Sequence, residues 1–160
     1  MNMVHKIAHT RKQFLWFMVG LEDIAQNVYG FAPDIISAQI ALETAYGKKV
    51  INHNLFNIKA TKSWKGETCK VMTTEYISGK PKKMFQYFRA YNSYLDSLKD
   101  YVHLLHYKRY ADAWAFRKNP RLFFQALVNG GYATDPEYSK SLLKRFNTIQ
   151  HIERHGETIG

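Results

Sequence analysis

Between Asp34 and Lys48 an almost wholly apolar run carries a single charge, Glu43. At helical spacing Glu43 shares a face with Ile36, Gln39 and Ile40, and it falls in the last turn, near the negative end of a helix dipole. Burial and that dipole both disfavour a carboxylate, so both raise its proton affinity. A carboxyl that keeps its proton near neutrality can act as a general acid. The alternative is a glutamate that reaches water or pairs with Lys48 or Lys49. Acidic residues number only 13, so the position of a second one is informative. Glu75 lies in an alternating run, on the face shared with Val71 and Ile77, just before a turn signal. A helix carboxyl facing a strand carboxyl across a groove suits cleavage of a glycosidic bond, one protonating the leaving oxygen and the other activating water or stabilising positive charge. Glu75 is equally able to be a strand residue paired with Lys80 or Lys82. The third candidate is Tyr132, in G-G-Y-A-T-D-P at residues 130–136. Two glycines let the backbone approach a ligand closely, and the tyrosine either hydrogen-bonds that ligand or packs on the core.

The elements that must hold these groups are readable from periodicity. Residues 11–29 repeat apolar side chains at helical spacing, and Gly30 stops the helix. Pro33 suits a first helical position, Asp34 an N-terminus and Gly47 a C-cap for the central helix. Residues 48–65 read as a loop. From residue 67 the period changes to two: Cys69, Val71, Thr73, Glu75 and Ile77 fall on one face, 78–81 (S-G-K-P) signals a turn, and 84–89 alternates again. A β-hairpin follows, with or without a third short strand, as the one expected sheet. Ser93 and Asp96 begin a helix striped by Leu95, Leu98, Val102 and Leu105. A short helix is expected from Tyr110 to about residue 117, another from Asn119-Pro120 to Gly130, and a last from Glu137 to about residue 150. The fold class is α+β, mostly helical with a small hairpin lobe.

At 160 residues the chain is one domain with a real core: a loose basic lead over residues 1–12, the domain proper over 13–150 and a polar tail over 151–160. A formal charge of +10 points to an anionic polymer as partner, whether nucleic acid, an acidic membrane surface or an anionic cell wall. Eleven Tyr, 10 Phe and 3 Trp suit both a packed core and a groove lined with flat rings. Cys69 is the only cysteine, which excludes an internal disulfide and a cysteine metal site. His103 and His106 are spaced i, i+3 without a third ligand, so no metal or other cofactor is expected. The apolar run 14–19 is short and lacks a small-residue cleavage site, and no stretch is long enough to span a membrane.

Several segments, in order, resemble the glucosaminidase domain of glycoside hydrolase family 73. They are A-Q-I-A-L-E-T-A-Y-G at 38–47, N-L-F-N-I-K-A at 54–60, W-K-G-E at 64–67, T-T-E-Y at 73–76, F-R-A-Y-N-S at 88–93, R-Y at 109–110 and G-G-Y-A-T-D-P at 130–136. That family includes the peptidoglycan-hydrolase domains of flagellar rod-assembly proteins and bacterial autolysins. The resemblance implies a lysozyme-like α+β fold and an endo-β-N-acetylglucosaminidase that cuts the β-1,4 bond after N-acetylglucosamine in peptidoglycan. By position Glu43 resembles the catalytic acid, Glu75 the second carboxylate on a mobile hairpin and Tyr132 the tyrosine important for activity. Tyr46, Asn54, Phe56 and Tyr110 are expected to bind substrate. Two departures stand out: Tyr46 replaces a common tryptophan, and Asn57 replaces a common glycine but tolerates positive φ.

The resemblance implies glycan strands and an anionic wall polymer as partners, with no nucleic acid and no membrane span. With no export signal evident, delivery is expected through a secretion or flagellar route, a phage holin, or a signal outside this sequence. Two rivals remain: a lytic transglycosylase or muramidase of the same broad fold, needing one acid only, and a non-catalytic basic module for glycan or nucleic acid. For a hydrolase, carboxyls about 5 Å apart suit a direct nucleophile and roughly 6.5–9.5 Å leaves room for water.

Overall fold

The computed structural model describes residues 4–156. Helix α1 (Arg11–Asn27) starts where Thr10 accepts a hydrogen bond from Gln13 N at 3.1 Å, and it buries Phe14, Met18, Leu21 and Ala25. The central helix α2 (Ile35–Thr44) packs against α1 and against the last helix. Ile35, Ile36, Ala38, Ile40 and Ala41 are all buried, as the all-round apolar pattern requires.

Its N-terminus is built differently from the expectation. Pro33 and Asp34 precede the helix, and Asp34 takes φ of 70° and makes no side-chain cap. The buried carboxylate of Glu22, reaching over from α1, does the capping. Its Oε1 accepts from Ser37 N at 2.9 Å and Ser37 Oγ at 2.7 Å, and its Oε2 from Asp34 N at 3.3 Å. A negative group at the open N–H groups of a helix start is favoured both by hydrogen bonding and by the dipole. At the other end Ala45, Tyr46 and Gly47 have φ of 51°, 56° and 79°, so three left-handed residues turn the chain away immediately after Glu43 and Thr44. Gly47 is needed twice over, for that φ and because a Cβ there would lie 2.7 Å from Ile7 Cγ1.

The lead expected to be loose is pinned by this turn. Strand β1 (Val4–His5) pairs antiparallel with β2 (Val50–Ile51), and Ile7 N donates to Gly47 O at 2.8 Å. The hairpin is therefore not the only sheet; strands two residues long are too short to display a period. Residues 1–3 of the expected lead and 157–160 of the expected tail lie outside the described residues.

The hairpin comprises β3 (Thr68–Ile77) and β4 (Lys80–Arg89), joined by Ser78 and Gly79 with φ of 53° and 77°. Two positive φ values give the tight turn that matches strand twist, so Lys80 and Pro81 belong to the strand rather than to the turn. At its base Arg89 N donates to Ile58 O and Ala60 N to Tyr87 O, laying the preceding loop alongside β4. Asn54 is the clasp of that loop. Its Nδ2 donates to the carbonyls of Ile58 and Arg89, and its Oδ1 accepts from Ile58 N. Arg89 pairs with Asp100 at 2.9 Å, tying the hairpin to α3 (Tyr94–Leu105), which Ser93 caps.

On α3 the buried stripe is Leu98, Tyr101, Val102 and Leu105, while Leu95 sits at its edge and is exposed. A 3-10 turn (Lys108–Tyr110), α4 (Ala111–Ala115) and α5 (Pro120–Asn129), with Asn119 as N-cap, complete one wall. Helix α6 (Tyr138–His155) closes the core against α2 and α5 and continues past the expected end near residue 150.

Candidate active site

The left-handed run after α2 leaves Glu43 at the mouth of a cleft between the helical body and the hairpin. Glu43 lines a cavity of about 160 Å³ with Lys49, Asn54, Asn57, Val71 and Thr73. A second cavity of about 230 Å³ continues past Asn57 to Lys59, Arg109, Tyr132 and Thr134. Larger depressions lie elsewhere, 560 Å³ beside Trp64 and Tyr91 and 710 Å³ along α6, but Glu43 lines neither.

Burial pushes the Glu43 carboxyl up to about 7, against the opposing pull of the Tyr138 hydroxyl, the Asn57 amide and the Lys59 charge. Among the described residues no ion pair reaches Glu43 from Lys48 or Lys49; the groups that hold it are neutral. Tyr138 donates to Glu43 Oε1 at 3.0 Å, and Asn57 Nδ2 donates to the Glu43 carbonyl at 2.9 Å, filling one of the open acceptors at the helix end. Asn57 has φ of 49°, the left-handed geometry that asparagine tolerates.

Glu75 is buried and ionised. Burial alone would raise its proton affinity, but the Lys59 ammonium at 2.5 Å from Oε1 and the Thr134 hydroxyl at 2.6 Å from Oε2 outweigh it and hold the carboxyl below its usual range. The partner is thus Lys59, not the Lys80 or Lys82 that strand proximity suggested. With both oxygens engaged, Glu75 in this conformation stands as a fixed negative charge rather than a free base.

Tyr132 is partly buried on the same wall, and its hydroxyl donates to the Phe56 carbonyl at 2.6 Å. Its ring stacks on that of Tyr138, with centroids 5.9 Å apart. The four residues expected to bind substrate are placed less favourably. Phe56 is buried at 0% exposure and stacks on Tyr101, so its ring is not open to a sugar; Tyr110 borders the second cavity but presents only 1% of its surface. Asn54 is buried and its amide is bound to backbone on three sides, so it shapes the cleft by holding the loop in place. Tyr46 meets Phe14 edge-on and carries the Arg11 guanidinium over its ring at 4.8 Å, which occupies one face.

Two site residues carry no sequence signal as strong as their geometry. Lys59 lies in a matched segment without being singled out, and Tyr138 looks like one more apolar residue at a helix start. Its contact with Glu43 spans 95 positions, beyond any local pattern. Among the described residues, no group of three or more His, Cys, Asp or Glu is placed to hold a metal ion, and no helix is long and apolar enough to cross a membrane.

A family model for glucosaminidase, described as mannosyl-glycoprotein endo-beta-N-acetylglucosaminidase, matches residues 22–151. The chain is 36% identical over 155 residues to the peptidoglycan hydrolase FlgJ of Pseudomonas aeruginosa, covering 90% of this chain and 39% of that one. It is 39% identical over 144 residues to the FlgJ of Salmonella typhimurium, covering 85% and 44%. It therefore spans about two fifths of the length of these curated relatives. A crystal structure of a peptidoglycan hydrolase mutant from Sphingomonas sp. A1 superposes with a TM-score of 0.78 at 33% identity, over 91% of this chain and 100% of that one. The lysozyme-like α+β class expected from the sequence is the one observed.

Proposed function

The chain belongs to the glucosaminidase family of glycoside hydrolases, and from that premise we propose that it cuts the β-1,4 bond following N-acetylglucosamine in peptidoglycan. The observation that carries this reading is Glu43, a carboxyl raised to about 7 at the rim of a cleft and held by neutral donors rather than by a lysine. Such a group gives its proton to the glycosidic oxygen as the bond lengthens. The ionised Glu75 stabilises the positive charge that grows on the sugar, and Tyr132 steadies the substrate on the facing wall. The electron pair that completes the displacement comes from water or from the substrate's own N-acetyl group, and the anomer first released from a defined glycan separates these routes.

The net charge of +10 suits residence on an anionic wall. The work of the domain is accordingly at the cell wall, and the secretion, flagellar or phage-lysis machinery that would deliver it is part of the same proposal. The engagement of both Glu75 oxygens gives some support to a one-acid lytic transglycosylase. Products separate the two: hydrolysis leaves reducing N-acetylglucosamine ends, transglycosylation leaves anhydro-muramic ends.

The deciding experiment is mass spectrometry of muropeptides released by the wild type and by Glu43→Gln. Loss of about 10²–10⁴ in rate is expected on removing a general acid. Equal digestion by both would remove the mechanism.

A further inference from the structure

Three buried side chains lead in one direction to the acid. The Tyr101 hydroxyl donates to Gln39 Oε1, Gln39 Nε2 donates to the Tyr138 oxygen at 3.2 Å, and the Tyr138 hydroxyl donates to Glu43 Oε1 at 3.0 Å. Tyr101 and Gln39 are 0% exposed and Tyr138 is 5% exposed, so water does not compete for these bonds. With Gln39 Oε1 on Tyr101, the rest of the order follows from donor and acceptor chemistry. An amide carbonyl only accepts and an amide nitrogen only donates, so Gln39, with its carbonyl on Tyr101, must turn its N–H toward Tyr138. The Tyr138 oxygen then acts as acceptor, and its own hydrogen has Glu43 Oε1 as its partner. Were Glu43 protonated on Oε1, the Tyr138 hydrogen would be left unpaired in a buried site, which is costly.

We infer that Tyr138 is a positioning residue for Glu43: the relay from Tyr101 through Gln39 makes Oε1 an obligate acceptor and so keeps the acid's proton on Oε2. The inference rests on the reading of Glu43 as general acid and adds what orients it. A proton confined to one oxygen of a carboxyl whose other oxygen is anchored leaves toward a single direction, and the carboxylate formed afterwards is steadied by the same donor. The other titratable groups near Glu43 are Lys59 on the loop, Tyr132 after α5 and Tyr101 on α3, with Lys49 lining the same cavity. Burial holds the Tyr101 and Tyr132 hydroxyls well above their ordinary values, so neither supplies a second charge change beside Glu43.

The test is a pair of replacements that move the hydrogen bond in opposite directions. Tyr138→Phe removes the donor; 3,5-difluorotyrosine at position 138 keeps the shape and strengthens it. The readouts are the Glu43 titration midpoint, followed by carboxyl carbon NMR in the free protein, and the basic limb of the rate profile on peptidoglycan. Tyr138→Phe should raise both midpoint and limb by about one pH unit and lower kcat about tenfold, with KM within about twofold. The fluorinated protein should move both downward. A purely structural tyrosine would leave the fluorinated protein unshifted, and unshifted midpoints in the fluorinated protein would overturn the inference even if Tyr138→Phe fails to fold. Failure of the underlying reading looks different: Glu43→Gln would then digest the wall as the wild type does, which removes the role in proton delivery whatever the midpoints show.

Discussion

Thr134 Oγ1 donates to Glu75 Oε2 at 2.6 Å and accepts from Tyr76 N at 3.0 Å. One threonine from the loop between α5 and α6 therefore ties down the hairpin by a side chain and a backbone group together. Lys59, from the loop beneath, completes the attachment through Glu75. The cavity beside Glu43 measures about 160 Å³, and on the proposed reading admission of a glycan strand is expected to require these contacts to yield.

Thr134→Val preserves shape and removes both bonds. Amide hydrogen exchange at Tyr76 should become roughly five-fold faster or more, as for loss of about one net hydrogen bond, while exchange in α2 stays unchanged. Unaltered exchange at Tyr76 would show that the strand pairing, not Thr134, holds the hairpin.

The two carboxyls are driven apart in proton affinity, and the rate profile should display it. Activity should fall as pH rises through about 7, where Glu43 loses its proton, and should persist on the acid side until pH drops below the usual carboxylate range, where Glu75 gains one. A profile of kcat/KM that keeps rising past pH 8 contradicts the assignment of Glu43.

The raised affinity of Glu43 has a stability cost with a definite sign. The unfolded carboxyl ionises near 4.5 while the folded one holds its proton to about 7, so stability is lost as pH rises across that window. Glu43→Gln keeps an acceptor for Tyr138 and removes the titration. Urea unfolding should find it about 3 kcal/mol more stable than the wild type at pH 8, with little difference at pH 4. Equal stability at both values would mean that the side chain is better solvated than its surroundings indicate. Glu75 works in the opposite sense, since its ion pair stabilises the fold above the ordinary carboxylate range and is lost in acid.

Net charge should govern the working substrate more than the chemistry. Raising salt from about 0.05 to 0.5 M shortens the screening length from roughly 14 to 4 Å, so clearing of an anionic wall should slow several-fold while cleavage of a soluble neutral glycan changes less than about twofold. A flat salt profile on both substrates would argue against electrostatic residence on the wall.

Local chemistry was legible in the chain because it acts over four residues or fewer. The all-round apolar pattern of α2, the Ser93 and Asn119 caps, the two-residue alternation of the hairpin strands and the segments shared with the glucosaminidase family were all available without coordinates. So was the suspicion attached to Glu43, the lone charge at the end of an oily helix. Tertiary packing alone decided what surrounds that charge. Glu22 caps α2 from 15 positions away, Lys59 rather than a hairpin lysine neutralises Glu75, and Tyr138 anchors Glu43 from 95 positions away. It also buried Phe56 and Tyr110, whose flat rings look alike in a sequence whether they face a sugar or a core. Periodicity assigns a side chain to a face; which partner that face meets depends on how helices and hairpin pack, and hydrogen-bond direction at the acid is fixed only there.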